Sequence, residues 1–181
     1  MRGQVVAREE QVLLDQDEFI VSKTNLKGEI TYVNRTFMEI SLFAEHQVMR
    51  QNHNIIRHPD MPRGVYRMMW EQLKQRQEFF GYVKNLCSDG SYYWVFANIT
   101  PEFDEQGKHC GFLSVRRKPP SAAVEVIKPI YQKMCSIEAS TPNKKRGEEL
   151  SLAYFEEELA ERNSLYQHFV IDLFQENGGA E

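Results

Sequence analysis

A pair of strand-forming segments joined by a tight turn is the feature that most constrains the fold of this chain. Residues 79–103 read FFGYVKNLCSDGSYYWVFANITPEF, with aromatic and β-branched residues on both sides of the turn sequence SDGS. Asp-Gly at such a position favours a β-hairpin, because glycine adopts a positive φ without steric cost. A second turn in DEQGKHCGFLSVRRK predicts another strand. The sequence therefore predicts a three-stranded antiparallel meander that ends before Pro119-Pro120.

Two further strands and a helical region precede this meander. Phe19–Val21 and Ile30–Val33 flank a turn and are predicted to form a first hairpin. Residues 36–45 and 47–51 are predicted short helices, and Pro62–Arg76 is a predicted longer helix with two apolar stripes. Since the first hairpin must pair with the meander, we expect an α+β domain, a five-stranded antiparallel sheet with helices on one face. A ligand-sized cavity is expected between the helices and the sheet.

The rest of the chain is predicted to flank this domain. The predicted segments are an N-terminal cap or arm (1–17), the α+β domain (18–119), a flanking helix (120–136), a polar linker (137–147) and an amphipathic helix (148–177). Pro129 is expected to kink or interrupt the flanking helix. The last helix carries an apolar stripe that is either an intramolecular cover or a surface for a homodimer or a partner: Leu159, Leu165, Phe169, Leu173 and Phe174.

Composition excludes several classes of function. The net charge of −4 and the pI of about 5.8 give no electrostatic case for binding nucleic acid or an anionic membrane. No segment approaches the ~20 consecutive apolar residues of a membrane span. Three widely spaced cysteines without a CxxC pair indicate a reducing compartment, so the chain is expected to be cytoplasmic. The chain carries no P-loop, HExxH or nucleophile–base motif and is not expected to be an enzyme.

The loop NHNIIRHPDMP, at residues 52–62, concentrates the polar residue types that make a binding site. Each proline biases the residue before it toward extended geometry, so Arg57, His58 and Asp60 are expected to lie on a stiff segment. Arg57 can bind a pyrophosphate through two parallel hydrogen bonds. In the alternative interpretation, Arg57 and Asp60 pair with each other and cap the following helix.

Zinc and haem are two other interpretations of the same loop. Only His53 and His58 cluster, whereas a structural zinc site normally uses four nitrogen or sulfur ligands. We therefore predict no metal site. Either histidine can serve as an axial haem ligand, although the long helix that follows contains no histidine. Haem is kept as an alternative ligand.

Four segments in this order resemble the PAS family of sensory domains: GEITYVNRTFMEISLF, HNIIRHPDMPRGVYRMMW, GYVKNLCSDGSYYWVFANITP and GFLSVRRKP. The resemblance runs from Asp17 to Met134 and is greatest to the FAD-binding PAS domains of bacterial aerotaxis receptors, which carry the block RHPDMP…MW. PAS domains bind haem, flavins, small acids or no ligand, so the fold alone does not define the ligand. The RHPDMP block is what implies FAD.

The resemblance also implies which residues contact FAD. They come from the loop, the long helix and the strands, and the implied set is Arg57, His58, Asp60, Trp70, Asn34, Asn85, Tyr93 and His53. Further members of this set have local alternatives. Trp70 can fill the core, and Asn34 and Asn85 can serve turn or strand-edge chemistry, with Asn34 placed to cap a helix. The helix and loop region at residues 45–60 contains no cysteine, so a flavin–cysteine adduct is not expected.

The function implied by the resemblance is redox or oxygen sensing. A cytoplasmic FAD-binding module is expected to pass the redox state of its flavin to a separate signalling protein, such as a chemotaxis-type transducer or kinase. A separate partner is expected because the membrane segment, relay module and signalling coiled coil of aerotaxis receptors do not follow the domain in this sequence. The alternatives are a cofactor-free PAS module for protein–protein interaction or dimerisation, and a haem-binding PAS sensor.

Overall fold

Five strands form one antiparallel sheet in the computed structural model, which describes residues 5–178. The strands are β1 (Ile20–Asn25), β2 (Ile30–Val33), β3 (Phe79–Leu86), β4 (Tyr92–Phe103) and β5 (His109–Arg117). Their order across the sheet is β2-β1-β5-β4-β3, so the N-terminal hairpin pairs with the last strand of the meander. The predicted α+β fold with a five-stranded antiparallel sheet is confirmed.

The β3–β4 hairpin forms where its sequence predicts. Leu86 is opposite Tyr92, which leaves the SDGS sequence in the turn. Gly90 has φ +95 in this turn, a conformation that a larger residue would adopt only under strain. The described part of the N-terminal arm lies against the hairpin, where Gln11 forms a parallel bridge with Tyr92. Residues 1–4 of the predicted arm lie outside the described residues.

Helices cover both faces of the sheet. They are α1 (Arg35–Ser41), α2 (Glu45–Val48), α3 (Arg63–Lys74), α4 (Ser121–Ser140), α5 (Lys144–Glu161) and α6 (Tyr166–Glu176), with a 3-10 turn at His53–Ile56. Side chains of α1, α2 and the 3-10 turn pack with Tyr93, Val95 and Ala97 of β4. Side chains of α4 and α6 pack with Trp94 and Phe96, which point to the opposite face because side chains alternate along a strand. No helix within residues 5–178 is long and apolar enough to cross a bilayer.

Hydrogen bonds and aromatic contacts hold the C-terminal helices on the face of the sheet that carries Trp94 and Phe96, called the outer face below. The Tyr131 hydroxyl of α4 donates to the carbonyl oxygen of Tyr82 at 3.0 Å, and the Tyr82 hydroxyl donates to the carbonyl oxygen of Val170 at 3.3 Å. The rings of Phe96 and Phe174 stack with their centroids 4.3 Å apart. Of the two interpretations of the C-terminal stripe, the structure therefore shows the intramolecular cover. Its member Leu165 is the exception and is 71% exposed.

The C-terminal region differs from its prediction in three ways. Helix α4 continues through Pro129, and the predicted linker shrinks to residues 141–143 because α4 and α5 extend into it. The single amphipathic helix predicted for residues 148–177 is divided into α5 and α6. The break contains Asn163 in the left-handed conformation (φ +50), which ends a helix and turns the chain.

A carboxylate from α4 caps the first turn of α3. Glu138 accepts hydrogen bonds from the backbone N–H groups of Arg63 (3.0 Å) and Gly64 (2.9 Å), and from the hydroxyl of Ser151 (2.8 Å). Free N–H groups at a helix start favour a negative charge. The alternative in which Asp60 helps to cap this helix is not observed, because the carboxylate of Asp60 instead pairs with Lys84.

Candidate ligand cavity between the helices and the sheet

A cavity of about 410 Å³ lies between α3, the 3-10 turn and the inner face of the sheet. Its apolar wall comes largely from α3, where Tyr66, Met69, Trp70 and Leu73 follow the i, i+3, i+4, i+7 spacing that puts them on one helix face. The Trp70 ring meets Phe112 of β5 edge to face, with centroids 5.5 Å apart. The polar part of the wall consists of Ser22, Thr24, Lys27, Asn52, His53, Asn54, Arg57, Asn85, Ser114 and Arg116.

Arg57 lies at the mouth of the cavity. Its guanidinium covers the ring of Tyr66 at 4.1 Å and donates to the carbonyl oxygen of Met61 at 3.1 Å. Its backbone forms an antiparallel bridge with Asn85, which also lines the cavity. The alternative in which Arg57 pairs with Asp60 is not observed, since Asp60 bonds to Lys84. The Arg57 guanidinium thus contacts a carbonyl oxygen and an aromatic ring, and no carboxylate within residues 5–178 pairs with it.

His58 and Asp60 point away from the cavity. His58 is buried against the ring of Tyr92, with centroids 5.7 Å apart, and its Nδ1 accepts from the backbone N–H of Asp60 at 3.1 Å. Burial, and then the charge of Lys84, lower the pKa of His58. The Asp60 carboxylate accepts from Lys84 at 2.6 Å. Neither residue lines the cavity, so the loop places Arg57 on one side and these two on the other.

Asn34 and Tyr93 are also outside the cavity wall. The Asn34 side chain caps α1 by accepting from the N–H of Phe37 at 3.0 Å, and it donates to the carbonyl oxygen of Phe19 at 2.7 Å. Tyr93 is fully buried in the core between α1 and the sheet, and burial raises the pKa of its hydroxyl. Of the eight residues implied by the resemblance, the structure brings His53, Arg57, Trp70 and Asn85 together around the cavity.

Arg116 is a cavity residue that sequence reasoning missed. It is 3% exposed, and one of its terminal nitrogens donates to Ser22 Oγ at 2.9 Å and to His53 Nε2 at 2.6 Å. Burial and the neighbouring charge of Arg116 hold the pKa of His53 well below its usual range, so this histidine is neutral. The signal was alternation along β5, which puts Phe112, Ser114 and Arg116 on one face.

The cavity opens into an outer basin of about 620 Å³ that shares part of its wall. Lys27, Arg57, Tyr66 and Trp70 border both spaces. The basin adds charged side chains of both signs, which are Arg63, Arg67, Glu71 and Lys74 of α3 and Glu148 of α5. None of the described residues that line the inner cavity is acidic, and within residues 5–178 no carboxylate forms an ion pair with Lys27, Arg57 or Arg116. The wall of the inner cavity therefore carries positive charge without acidic residues to offset it.

The metal interpretation gains no support from the geometry. The described part of the chain contains no cluster of three or more His, Cys, Asp or Glu side chains that can hold a metal ion. Cys87 is buried and donates to the carbonyl oxygen of Ile40 at 3.3 Å, and it does not line the cavity.

A five-stranded antiparallel sheet with a helical insertion over a cavity is the architecture that the structure shows. The chain belongs to the PAS family, because the family model for the PAS fold matches residues 11–118. The resemblance seen in the sequence is thereby confirmed. Membership places the chain among signal-sensing and signal-transducing domains, which are typically not enzymes.

Two curated relatives support this assignment. The chain is 36% identical over 119 residues to the aerotaxis receptor of Escherichia coli (strain K12), an alignment covering 66% of this chain. It is 31% identical over 105 residues to the nitrogen fixation regulatory protein of Klebsiella pneumoniae, covering 58% of this chain. The alignments span 23% and 21% of the lengths of these relatives.

Solved structures of light-oxygen-voltage and blue-light photoreceptor domains share the fold. One, described in a study of a flavin analogue and the light-oxygen-voltage mechanism, has a TM-score of 0.54 at 18% identity, covering 64% of this chain and 86% of that chain. The photo-excited blue-light photoreceptor Vivid has a TM-score of 0.51 at 16% identity, covering 61% of this chain and 84% of that chain. At these identities the similarity concerns the fold alone.

Proposed function

We propose that this chain is a cytoplasmic FAD-binding PAS module that senses redox state or oxygen and relays it to a separate signalling protein. The observation that carries the proposal is a cavity that combines an indole ring, unpaired polar groups and unneutralised positive charge. The identity to the aerotaxis receptor, together with the RHPDMP block, supports FAD over other PAS ligands. When bound, FAD supplies a reversible electron acceptor.

The size and chemistry of the cavity fit FAD. A volume of about 410 Å³ lies within the range of ligand pockets and suits the ring system, and the outer basin has room for the phosphates and the adenosine. Asn85 Nδ2 and Ser114 Oγ are buried without a partner, and both residues line the cavity, so they match the acceptor-rich edge of the ring. Arg57, at the junction of the two spaces, matches the pyrophosphate.

A relay from the cavity to the C-terminal helices is supported by the segment from Arg57 to Gly64. At one end Arg57 faces the cavity, and at the other end Arg63 and Gly64 donate to Glu138 of α4. Between them, the carbonyl oxygen of Asp60 accepts from the thiol of Cys135, also on α4, at 3.2 Å. A ligand that moves this segment therefore acts directly on the helices that cover the sheet.

The alternative ligands are less compatible with this geometry. An empty interaction module is expected to fill its core with side chains, whereas this one encloses a cavity of ligand size. A haem ligand needs a free imidazole nitrogen, and His53 Nε2 accepts a hydrogen bond from Arg116 while His58 faces away from the cavity.

Arg57→Ala is expected to weaken FAD binding about 10- to 100-fold, because a charge-assisted hydrogen bond is worth roughly 1.5–3 kcal/mol. Riboflavin lacks the pyrophosphate, so its affinity should change much less in the same variant. Trp70→Phe should weaken both ligands, because it reduces the aromatic surface of the cavity. Quenching of flavin fluorescence during titration measures all four affinities.

Arg35→Ala is the matched control for this comparison, because Arg35 is exposed on α1 and pairs with Glu39, away from the cavity. It should bind FAD and riboflavin like the original protein. If Arg57→Ala and Trp70→Phe both bind FAD with unchanged affinity, the assignment of this cavity to FAD is wrong.

A further inference from the structure

The sheet wall of the cavity contains a buried arginine whose charge the protein does not neutralise. Arg116 is 3% exposed, and its hydrogen-bond partners, Ser22 and His53, are both neutral. Its second terminal nitrogen, Nη1, is buried and has no hydrogen-bond partner in the part of the chain that the structure describes. Burying a cation without an opposing charge is costly, so an arginine in this position is retained only where something offsets the cost.

Among the described residues, none of the titratable groups facing Arg116 supplies a negative charge near neutral pH. They are His53 from the 3-10 turn, Tyr66 from α3 and Tyr93 from β4. Burial raises the pKa of Tyr66 to about 12 and also raises that of Tyr93, so both hydroxyls stay protonated. Arginine keeps its proton in proteins, even where burial lowers its pKa, as it does here.

Ser22 and His53 hold the guanidinium of Arg116 through one of its two terminal nitrogens. Both partners bond the same terminal nitrogen, Nη2, which leaves Nη1 as an unused donor in the wall. Asn85 Nδ2 and Ser114 Oγ are further buried groups without partners among the cavity-lining residues. Three polar groups, one on β3 and two on β5, therefore line the same cavity as unused groups for an acceptor-rich ligand.

We propose that Arg116, positioned by Ser22 and His53, is an anion-recognition site in the sheet wall of the cavity. It binds a planar acceptor edge with full or partial negative charge, such as a carboxylate or the carbonyl edge of a ring. Where the ligand is FAD, the inference rests on the proposed function, and Arg116 contacts the electron-rich edge of the ring. A small carboxylate is the other ligand that offers Arg116 such an acceptor edge.

The first test is the thermal stability of the cofactor-free protein. Arg116→Gln removes the buried charge, and Ser22, 3.1 Å from His53 Nε2, can then donate to this histidine. We expect the melting temperature to rise by roughly 2–6 °C, since 1 kcal/mol corresponds to about 2–4 °C in a chain of this size. Arg117→Gln is the matched control, because Arg117 is the exposed neighbour on the same strand. It should change the melting temperature little.

The second test is binding, with FAD and potassium acetate as separate probes. Arg116→Gln should bind FAD about 10- to 100-fold more weakly, as expected for loss of a charged hydrogen bond. Arg116→Lys, which keeps the charge but loses the planar fork, should bind with intermediate affinity and show no gain in melting temperature. Acetate, compared with potassium chloride at the same concentration, should raise the melting temperature of the cofactor-free original protein but not that of Arg116→Gln.

The outcomes separate this inference from the proposed function. If the original protein fails to bind FAD but acetate stabilises it through Arg116, the anion site stands and the FAD assignment fails. If Arg116→Gln lowers the melting temperature of the cofactor-free protein and leaves the FAD and acetate responses unchanged, Arg116 is a structural residue and the proposal is overturned.

Discussion

Replacing Glu138 with alanine is expected to lower the free energy of unfolding by about 3–5 kcal/mol, the range for removing one partner of a buried ion pair. Glu138 is 8% exposed and accepts hydrogen bonds from Arg63 N, Gly64 N and Ser151 Oγ. Its carboxylate also lies 3.3 Å from the guanidinium of Arg63. Alanine leaves two helix N–H groups and a half-buried guanidinium without their main acceptor. Urea unfolding followed by circular dichroism measures the loss.

Two further variants separate the contributions of charge and of hydrogen bonding to the effect of Glu138→Ala. Glu138→Gln keeps oxygen acceptor capacity but loses the charge, so it should be destabilised by less than Glu138→Ala. Glu148→Ala is the matched control, because this half-buried carboxylate lies 3.6 Å from the guanidinium of the same Arg63. It should cost no more than about 1 kcal/mol. A Glu138→Ala protein as stable as Glu148→Ala would contradict the capping role of Glu138.

Phe155→Ala is expected to cost about 3–5 kcal/mol of unfolding free energy, as for other large cavities created in a core. Phe155 is 1% exposed at the centre of the C-terminal cover. It meets Tyr131 of α4 and Tyr166 and Phe169 of α6 edge to face, with centroids 5.6–6.5 Å apart. This one ring of α5 therefore contacts both of the other C-terminal helices.

The measurement for Phe155→Ala should show whether the cover and the sheet unfold together. Trp94 is buried on the outer face, where its ring centroid is 6.3 Å from that of Tyr131, so near-ultraviolet circular dichroism reports on this contact. One transition at a lower urea concentration is expected at all wavelengths. Leu150→Ala, on the same helix at 37% exposure, should have a much smaller effect. Loss of helical signal with no change in the sheet would contradict an integrated cover.

The parts of the fold that the sequence predicts correctly are those that local chemistry determines. The β3–β4 hairpin follows from strand-forming segments around SDGS, and α3 follows from its apolar spacing. The break between α5 and α6 has no glycine or proline to mark it, because Asn163 adopts the left-handed conformation instead. The cap of α3 could not be predicted from local sequence either, since Glu138 is 74 residues away from Gly64 in the chain.

The site residues divide in the same way. The resemblance points to His53, Arg57, Trp70 and Asn85, and all four line the cavity, while their contact with FAD stays a prediction. Sequence position does not reveal which side of a loop a side chain takes, and His58 and Asp60 face away. Asn34 takes the local capping role that its place before a helix allows.

The burial of Arg116 is only partly predictable from the alternation of side chains along its strand. Alternation along GFLSVRRK assigns Arg116 and Arg117 to opposite faces, but it does not tell which face is the inner one. That choice depends on the pairing of β5 between β1 and β4, a long-range feature of the fold. Only the structure therefore identifies the buried arginine and its unpaired nitrogen.

Two measurements on the freshly purified protein test most directly whether this chain binds FAD. The first is the visible absorption spectrum, and the second is mass spectrometry of the small molecule that denaturation releases. We expect the two visible bands of an oxidised flavin, their bleaching on reduction, and the release of one FAD per protein chain. A Soret band would contradict this expectation by indicating haem. So would a protein that has no visible absorption and fails to take up added FAD.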